Sequence, residues 1–266
     1  MLYKAEDLDK LKFCSFQLVG PPKTGKTEAL ATLHKLKTRP WVKGKKFVIY
    51  DFDNGCQPLI RVAEREGWAD ELVIWRPARS TKIGPGADRE GSTTVFSDFM
   101  NHFNAFYDMI KPDTNDWYDD ALVDAPYAMA VDSATSFADH VMAFTLGTRH
   151  KSDGKSLGGA NVDGRAEFGA QMGKIVEVVR SFSALPCFTV FNFHSQLQMG
   201  RVRLPSAPKG GKVVDPVTTG VIADLPVVTG QLAFTIGAEF GAILYSLVEI
   251  NGTNSRKYLW KTSPDG

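Results

Sequence analysis

Cysteine is scarce in this chain: Cys14, Cys56 and Cys187 are the only three in 266 residues, odd in number and far apart. That excludes a disulfide framework and the close spacing of a zinc site, and it suits a reducing compartment. Long apolar runs are missing too. No stretch of about eighteen apolar residues occurs, so no segment reads as a membrane-spanning helix. Residues 1–7 lack the apolar core of a signal peptide. Excess charge of either sign is also absent. The formal net charge is +1, so no overall field draws the chain to nucleic acid or a membrane surface, and any basic surface has to be local. Internal repeats and linker-like stretches are missing as well. The expectation is one domain over residues 1–266, soluble and cytoplasmic.

What the chain does have is 43% hydrophobic content, enough to bury a full core. Its most specific feature is the run Gly20, Pro21, Pro22, Lys23, Thr24, Gly25, Lys26, Thr27. This fits G-x-x-x-x-G-K-[ST], a pattern expected by composition in roughly one chain in a hundred of this length. Ahead of it, residues 13–19 are a mostly apolar stretch of strand length. Behind it, residues 27–36 are good helix formers with apolar residues at helical spacing. Strand, glycine loop and helix together let a polyphosphate lie on backbone N–H groups at a helix N-terminus, where the helix dipole favours negative charge. Gly20 and Gly25 allow the tight backbone, Lys26 reaches the β- and γ-phosphates, and the Thr27 hydroxyl is placed to ligate Mg²⁺. The pattern predicts binding of a nucleoside triphosphate.

Elsewhere short β-type runs alternate with helical patterns, which predicts a parallel sheet covered by helices. Strands are expected at 46–50, 71–75, 127–131 and 187–191, and a closing hairpin at 242–250 and 257–261 turns about Asn251 and Gly252. Helices are expected at 95–110, from 133 to about 146, at 165–183, and briefly at 231–240. Residues 77–94 read as an exposed loop. Residues 113–124 form an acidic stretch that reads as a solvated loop rather than a metal site. The segments 147–164 and 195–220 read as Gly-rich basic loops. Phe96, Phe99, Phe103, Phe106 and Tyr107 recur at helical spacing and suit either the core or a partner face.

A phosphate loop hydrolyses nothing by itself. Mg²⁺ needs oxygen ligands, usually including a carboxylate, and Asp132 at the end of an apolar strand is the natural supplier. The alternative is that Asp132 merely caps the next helix. The group that orients or deprotonates water has to come from a neighbouring strand end: Asp53 after the second strand, with His194 and Asn192 after the fifth. Asp51, nearer the sheet, could instead hydrogen-bond the phosphate loop. The plainer reading has Asp51 and Asp53 starting the turn at Asn54 and Gly55, and His194 satisfied by backbone in the core.

Laid in order, these pieces resemble the RecA-like ATPase core. Val19 through Thr27 matches its phosphate loop, and Phe47 to Asp53 resembles its second strand, where the family carries a catalytic glutamate two residues after an aspartate. Ala130, Val131, Asp132 and Ser133 resemble its Mg²⁺-associated strand, and Asn192 to His194 falls at its nucleotide sensor. Within that superfamily the chain is similar to phage-encoded RecA-like ATPases of the single-strand-annealing type. These share the phosphate-loop wording, a sensor histidine and an ending near residues 261–266. Two departures stand out: Asp53 replaces the glutamate, one methylene shorter, and His194 replaces the usual glutamine.

The resemblance implies a RecA-like α/β fold with a mostly parallel sheet flanked by helices, and ATP and Mg²⁺ as cofactors. It implies a DNA-dependent ATPase assembling on single-stranded DNA in phage-type recombination or annealing, as a homo-oligomeric ring or filament with ATP between subunits. Lys26, Asp53 and His194 would carry catalysis, with Lys261 reaching the γ-phosphate from a neighbouring subunit. Arg149, Lys151, Lys155, Arg201, Arg203, Lys209 and Lys212 would meet the DNA backbone, unless those loops are ordinary solvated surface. The competing functions are a nucleotide or small-molecule kinase, with Arg79, Lys82 and Arg89 imitating a lid, and a non-catalytic ATP-gated loader or structural subunit.

Overall fold

The computed structural model describes residues 14–39, 42, 44–77, 87–110, 126–152, 164–203, 207–209, 212–214, 217–228, 232–251 and 255–261. Within these, residues 87–93, 109–110, 148–152, 164–165, 196–203, 207–209, 212–214, 217–225, 233–234, 247–251 and 255–261 are described by their backbone alone.

Apolar runs form the strands. β1 (Ser15–Gly20) leads through the glycine loop into α1 (Lys26–Ala29), which continues as a 3-10 helix over Leu30–Thr38. β2 (Lys46–Asp51) is followed by α2 (Gln57–Glu66), with Pro58 in its first turn and Gly67 ending it in the left-handed region at φ 77°. Then come β3 (Leu72–Trp75), α3 (Ala87–Ile110), β4 (Pro126–Asp132), α4 (Ala134–Ser152), α5 (Gly164–Ser183) and β5 (Phe188–Arg203). The rest comprises β6 (Ala207–Lys209), β7 (Lys212–Val214), β8 (Val217–Pro226), α6 (Leu232–Thr235), β9 (Ala242–Asn251) and β10 (Ser255–Lys261).

The strand order is β10-β9-β1-β5-β4-β2-β3. The six strands from β9 to β3 are parallel, and β10 closes the sheet as an antiparallel hairpin with β9. This is the α/β class that the RecA-like resemblance implies. Alternate residues of the strands face opposite cores, as the pleat requires. Val48, Tyr50, Met129, Val131, Phe191 and Phe193 meet α3, α4 and α5. Phe47, Ile49, Ala128, Ala130 and Val190 meet α2 and the 3-10 helix after α1.

The aromatic run on α3 belongs to the first core. Phe99 is fully buried, edge-on to Tyr50 at 4.8 Å between centroids, and Phe103 stacks on Phe182 at 4.5 Å. Phe106 and Tyr107 pack against the same cluster, so the stripe serves the interior and not a partner. Among the described residues no helix is long and apolar enough to cross a membrane.

Three expectations need correction. The helix α3 begins at Ala87, so residues 87–94 are helix rather than loop, and the rest of that expectation, residues 78–86, lies outside the described residues; Asp88, Arg89 and Glu90 start the helix, and Gly91 inside it costs only about 1 kcal/mol against alanine. The helix α4 runs to Ser152, well past Leu146, and takes the backbone of Arg149 and Lys151 with it. The segment 195–220 is largely a β-ribbon: Ser195–Arg203 of β5 pairs antiparallel with Val217–Pro226 of β8. Gln196, Leu197, Gln198 and Met199 alternate polar and apolar, Gly200 breaks the phase, and Arg201, Val202 and Arg203 alternate again; these short runs of period two outweigh the nearby Gly and Pro. The acidic stretch 113–124, Lys155, Arg79 and Lys82 lie outside the described residues.

Parallel pairing brings the strand ends to one edge of the sheet. Gly20 lies in register with His194, Asp51 with Asp132, and Asp132 with Asn192. On the other side of β1, Ser246 of β9 presses on Gly20. A Cβ at Gly20 would sit 1.9 Å from Ser246 Oγ and 2.7 Å from its backbone oxygen. Close approach, not a special φ, therefore demands glycine here. Gly20→Ala should lower unfolding free energy by about 1–3 kcal/mol, the usual cost of overpacking, as read from urea denaturation.

Candidate functional site

The phosphate loop is shaped by two left-handed residues, Lys23 at φ 63° and Gly25 at φ 81°. Thr24 ties it down: its Oγ1 donates to Pro21 O at 2.8 Å and lies 2.6 Å from Ser246 Oγ, joining the loop to β9. Lys26 is buried, and its Nζ donates to Gly20 O at 2.7 Å and Pro21 O at 2.8 Å. Burial lowers the pKa of this ammonium to about 8, against the pull of Asp132 and then Asp53, which favour its charge.

Thr27, the next residue, donates from Oγ1 to Asp132 Oδ2 at 2.6 Å. Asp132 is 6% exposed, and burial raises its pKa. The Thr27 hydrogen bond opposes that rise, as does the Asn192 amide, which sits close without meeting hydrogen-bond geometry; the charges of Asp51 and Asp53 reinforce it. Asp132 does not cap α4. Ser133 does so, its Oγ accepting from Ser136 N at 3.1 Å. The carboxylate of Asp132 is thereby left to the phosphate loop.

Asp51 and Asp53 part company. Asp51 is fully buried and accepts from Gly55 N at 2.8 Å and Arg76 Nε at 2.9 Å. It organises the turn and an ion pair, and the expectation that it bonds the phosphate loop is corrected. Asp51 takes that role because its side chain points back under the turn, where Asn54 adopts φ 57°. Asp53 is left facing the cavity. Its Oδ1 accepts from Ser136 Oγ, and its Oδ2 lies 3.4 Å from His194 Nε2. Burial alone would raise the Asp53 pKa, but hydrogen bonds from His194, Ser136 and Ser133 hold it below its ordinary value. His194 is no core histidine: its side chain is 30% exposed toward Asp53, while its backbone N donates to Thr135 Oγ1 at 3.0 Å.

One cavity of about 400 Å³ collects these groups: Lys23, Gly25, Lys26, Thr27, Glu28, Asp53, Gly55, Pro58, Asp132 and His194 line it. Four strand ends and the loop thus converge, with two ammoniums, a hydroxyl, three carboxylates and an imidazole around one space. A second cleft of about 350 Å³ adjoins it across Gly25 and Glu28 and runs along α2 to Arg65 and Glu66. Among the described residues no cluster of three or more His, Cys, Asp or Glu forms a metal cage. The buried Asp132 carboxylate beside the Thr27 hydroxyl suits instead a hard cation that takes few protein ligands, such as Mg²⁺.

The remaining sequence candidates lie apart. The backbone of Lys261 sits on the outer strand β10 opposite Tyr245, two strands from β1. Arg201 and Arg203 fall at alternate positions of the β5–β8 ribbon, and Lys209 pairs with Lys212 across the β6–β7 hairpin. Sequence reasoning missed Ser136, Thr135 and Ser246. A Ser at the strand end followed by another three residues on is a helix-start signal that could have pointed to Ser133 and Ser136. Ser246 carried no signal.

No family model and no curated protein sequence matches the chain. Among solved structures it is similar to the flagellar accessory protein FlaH from Methanocaldococcus jannaschii, with a TM-score of 0.41 and 9% identity over 98% of this chain and 84% of that one. The chemistry of the cavity is therefore read from its own residues.

The lowered pKa of Lys26 has a measurable consequence. The ammonium is charged below about pH 8 and loses its charge above it, well before an ordinary lysine does. Affinity for inorganic tripolyphosphate should hold steady up to about pH 8 and then weaken toward about tenfold per pH unit. In Lys26→Arg the guanidinium stays charged and the same calorimetric titration from pH 7 to 9.5 should be flat.

Proposed function

We propose that this protein binds Mg·ATP in the 400 Å³ cavity, hydrolyses it, and couples that cycle to single-stranded DNA as a homo-oligomer in phage-type recombination or annealing. The observation that carries the reading is the Thr27–Asp132 hydrogen bond, which joins the phosphate loop to the strand-end carboxylate beside Lys26. In this reading the loop amides and Lys26 hold the β- and γ-phosphates. Thr27 and Asp132 hold the cation, which when bound neutralises phosphate charge. Asp53 accepts a proton from the attacking water as the new P–O bond forms and the bond to the ADP oxygen breaks. His194 orients Asp53 and faces the terminal phosphate. Asp53 is one methylene shorter than a glutamate, which predicts slow turnover.

The ribbon supports the DNA half. It is a direct continuation of β5: Val227 N donates to His194 O at 2.7 Å at its root, and Arg201 and Arg203 lie seven and nine residues beyond His194 on the same strand. Basic side chains along a strand suit a phosphate backbone, which needs charge and no base readout. Arg149, Lys151 and Lys155 would join from the end of α4 and the segment after it, and Lys261 would act across the subunit boundary. The kinase reading draws no observation to itself, because Arg89 lies within α3 rather than on a lid. The loader reading loses the aromatic face that favoured it, since those rings fill the core.

ATP turnover measured with and without single-stranded DNA tests the proposal. The parent should hydrolyse ATP, faster with DNA; Lys26→Ala should abolish turnover, and Asp53→Asn should lower kcat by about 10²–10⁴-fold with KM held. No heat from Mg·ATP on the folded protein would overturn the reading.

For the ribbon, replacing Arg201 and Arg203 by alanine should weaken single-strand binding. It should also flatten the log K against log salt slope by about 0.7 per lost phosphate contact in an anisotropy titration. An unchanged slope removes the ribbon from the interface.

A further inference from the structure

We propose that Ser136 is a positioning residue that fixes the Asp53 carboxylate for its work on the attacking water, an inference that rests on the hydrolysis proposed above. Asp53 stands in the turn after β2, beyond the last paired residue Asp51 and beside Asn54 in the left-handed region, so strand pairing does not fix it. Its side chain is about one third exposed. The hydrogen bond from Ser136 Oγ to Oδ1 ties this carboxylate to the first turn of α4. That turn is rigid: Ser133 is buried and accepts from Ser136 N, and Phe137 N donates to Ser133 O at 3.0 Å. Ser133 Oγ also lies 3.4 Å from Ser136 Oγ, which sets the rotamer of the serine that holds Asp53.

One five-residue segment, 132–136, carries both jobs of the strand end. Asp132 goes to the phosphate loop, and Ser136, one helical turn further on, goes to Asp53. The distance between the two carboxylates is thereby set by a single rigid segment. A shorter carboxylate has less reach and depends more on where its tether places it. Without Ser136, Asp53 keeps the 3.4 Å contact with His194 Nε2 and the nearby Ser133 hydroxyl, neither of which holds Oδ1 as Ser136 does. The ionisable groups that act on Asp53 are His194 from β5, Lys26 from α1, Asp132 from β4, and Asp139 and His140 from α4. Removing a hydroxyl that donates to the charged form raises a carboxyl pKa, so the acid limb of the pH–rate profile should move to higher pH.

The test compares the parent, Ser136→Ala and Ser136→Thr in ATP turnover across pH, with Mg·ATP binding by calorimetry and Tm alongside. Ser136→Ala should lose about 10- to 100-fold in kcat with KM unchanged, move its acid limb upward, and still bind Mg·ATP. Ser136→Thr, which keeps the hydroxyl, should recover most of the rate. Parental kcat and an unshifted acid limb in Ser136→Ala would overturn the positioning role while leaving the ATPase reading intact. Equal losses in both variants, together with a lower Tm, would make the role purely structural and also overturn it. A parent that binds Mg·ATP but turns none over would fell the hydrolysis reading itself, and this proposal with it.

Discussion

A hydroxyl on the phosphate loop and a carboxylate two strands away meet at 2.6 Å, and the rest of the site is arranged around that contact. Thr27 and Asp132 are 105 residues apart in sequence, with β5 lying between their strands. They meet because β1, β5 and β4 are parallel and in register, so the loop after one and the carboxylate ending another open on the same edge. A carboxylate as buried as Asp132 is costly to ionise unless hydrogen bonds or a cation compensate. The Thr27 hydroxyl offsets part of that cost, and the nearby Lys26 ammonium shares the field.

Three aspartates near this edge illustrate how partners divide the work among identical side chains. Asp51, fully buried, is committed to its own turn and to Arg76, and so holds the end of β2 in place. Asp132 is buried with its pKa raised and belongs to the loop. Asp53 is half-open with its pKa lowered, and remains a charged acceptor facing the cavity. Only Phe52 separates Asp51 from Asp53, yet the turn sends one inward and the other outward. On the opposite flank Ser246 presses on Gly20 and contacts Thr24, so the C-terminal hairpin helps set the loop's shape.

Much of this was legible in the chain, because local rules govern it. The glycine spacing, the flanking strand and helix, and the apolar runs ending in Asp132 and His194 all depend on neighbours in sequence. The ribbon was legible too, through the short alternations at residues 196–199 and 201–203, but Gly200 between them and the glycines and prolines nearby masked it. Two helix ends were misjudged for a related reason. Polar and glycine-containing first and last turns, as at Ala87 and Ser152, look like loop until tertiary packing or a long helix carries them.

By itself the sequence determined that a strand, a phosphate loop and a helix follow one another, and which side chains stand at the strand ends; spacing and periodicity act over a few residues and need no fold. Only the tertiary structure decided which of those strand ends are neighbours. Strand order and register brought Thr27 to Asp132, turned Asp53 toward Ser136 and His194, and set Ser246 against Gly20. Such contacts join residues tens to hundreds of positions apart, where no periodicity reaches.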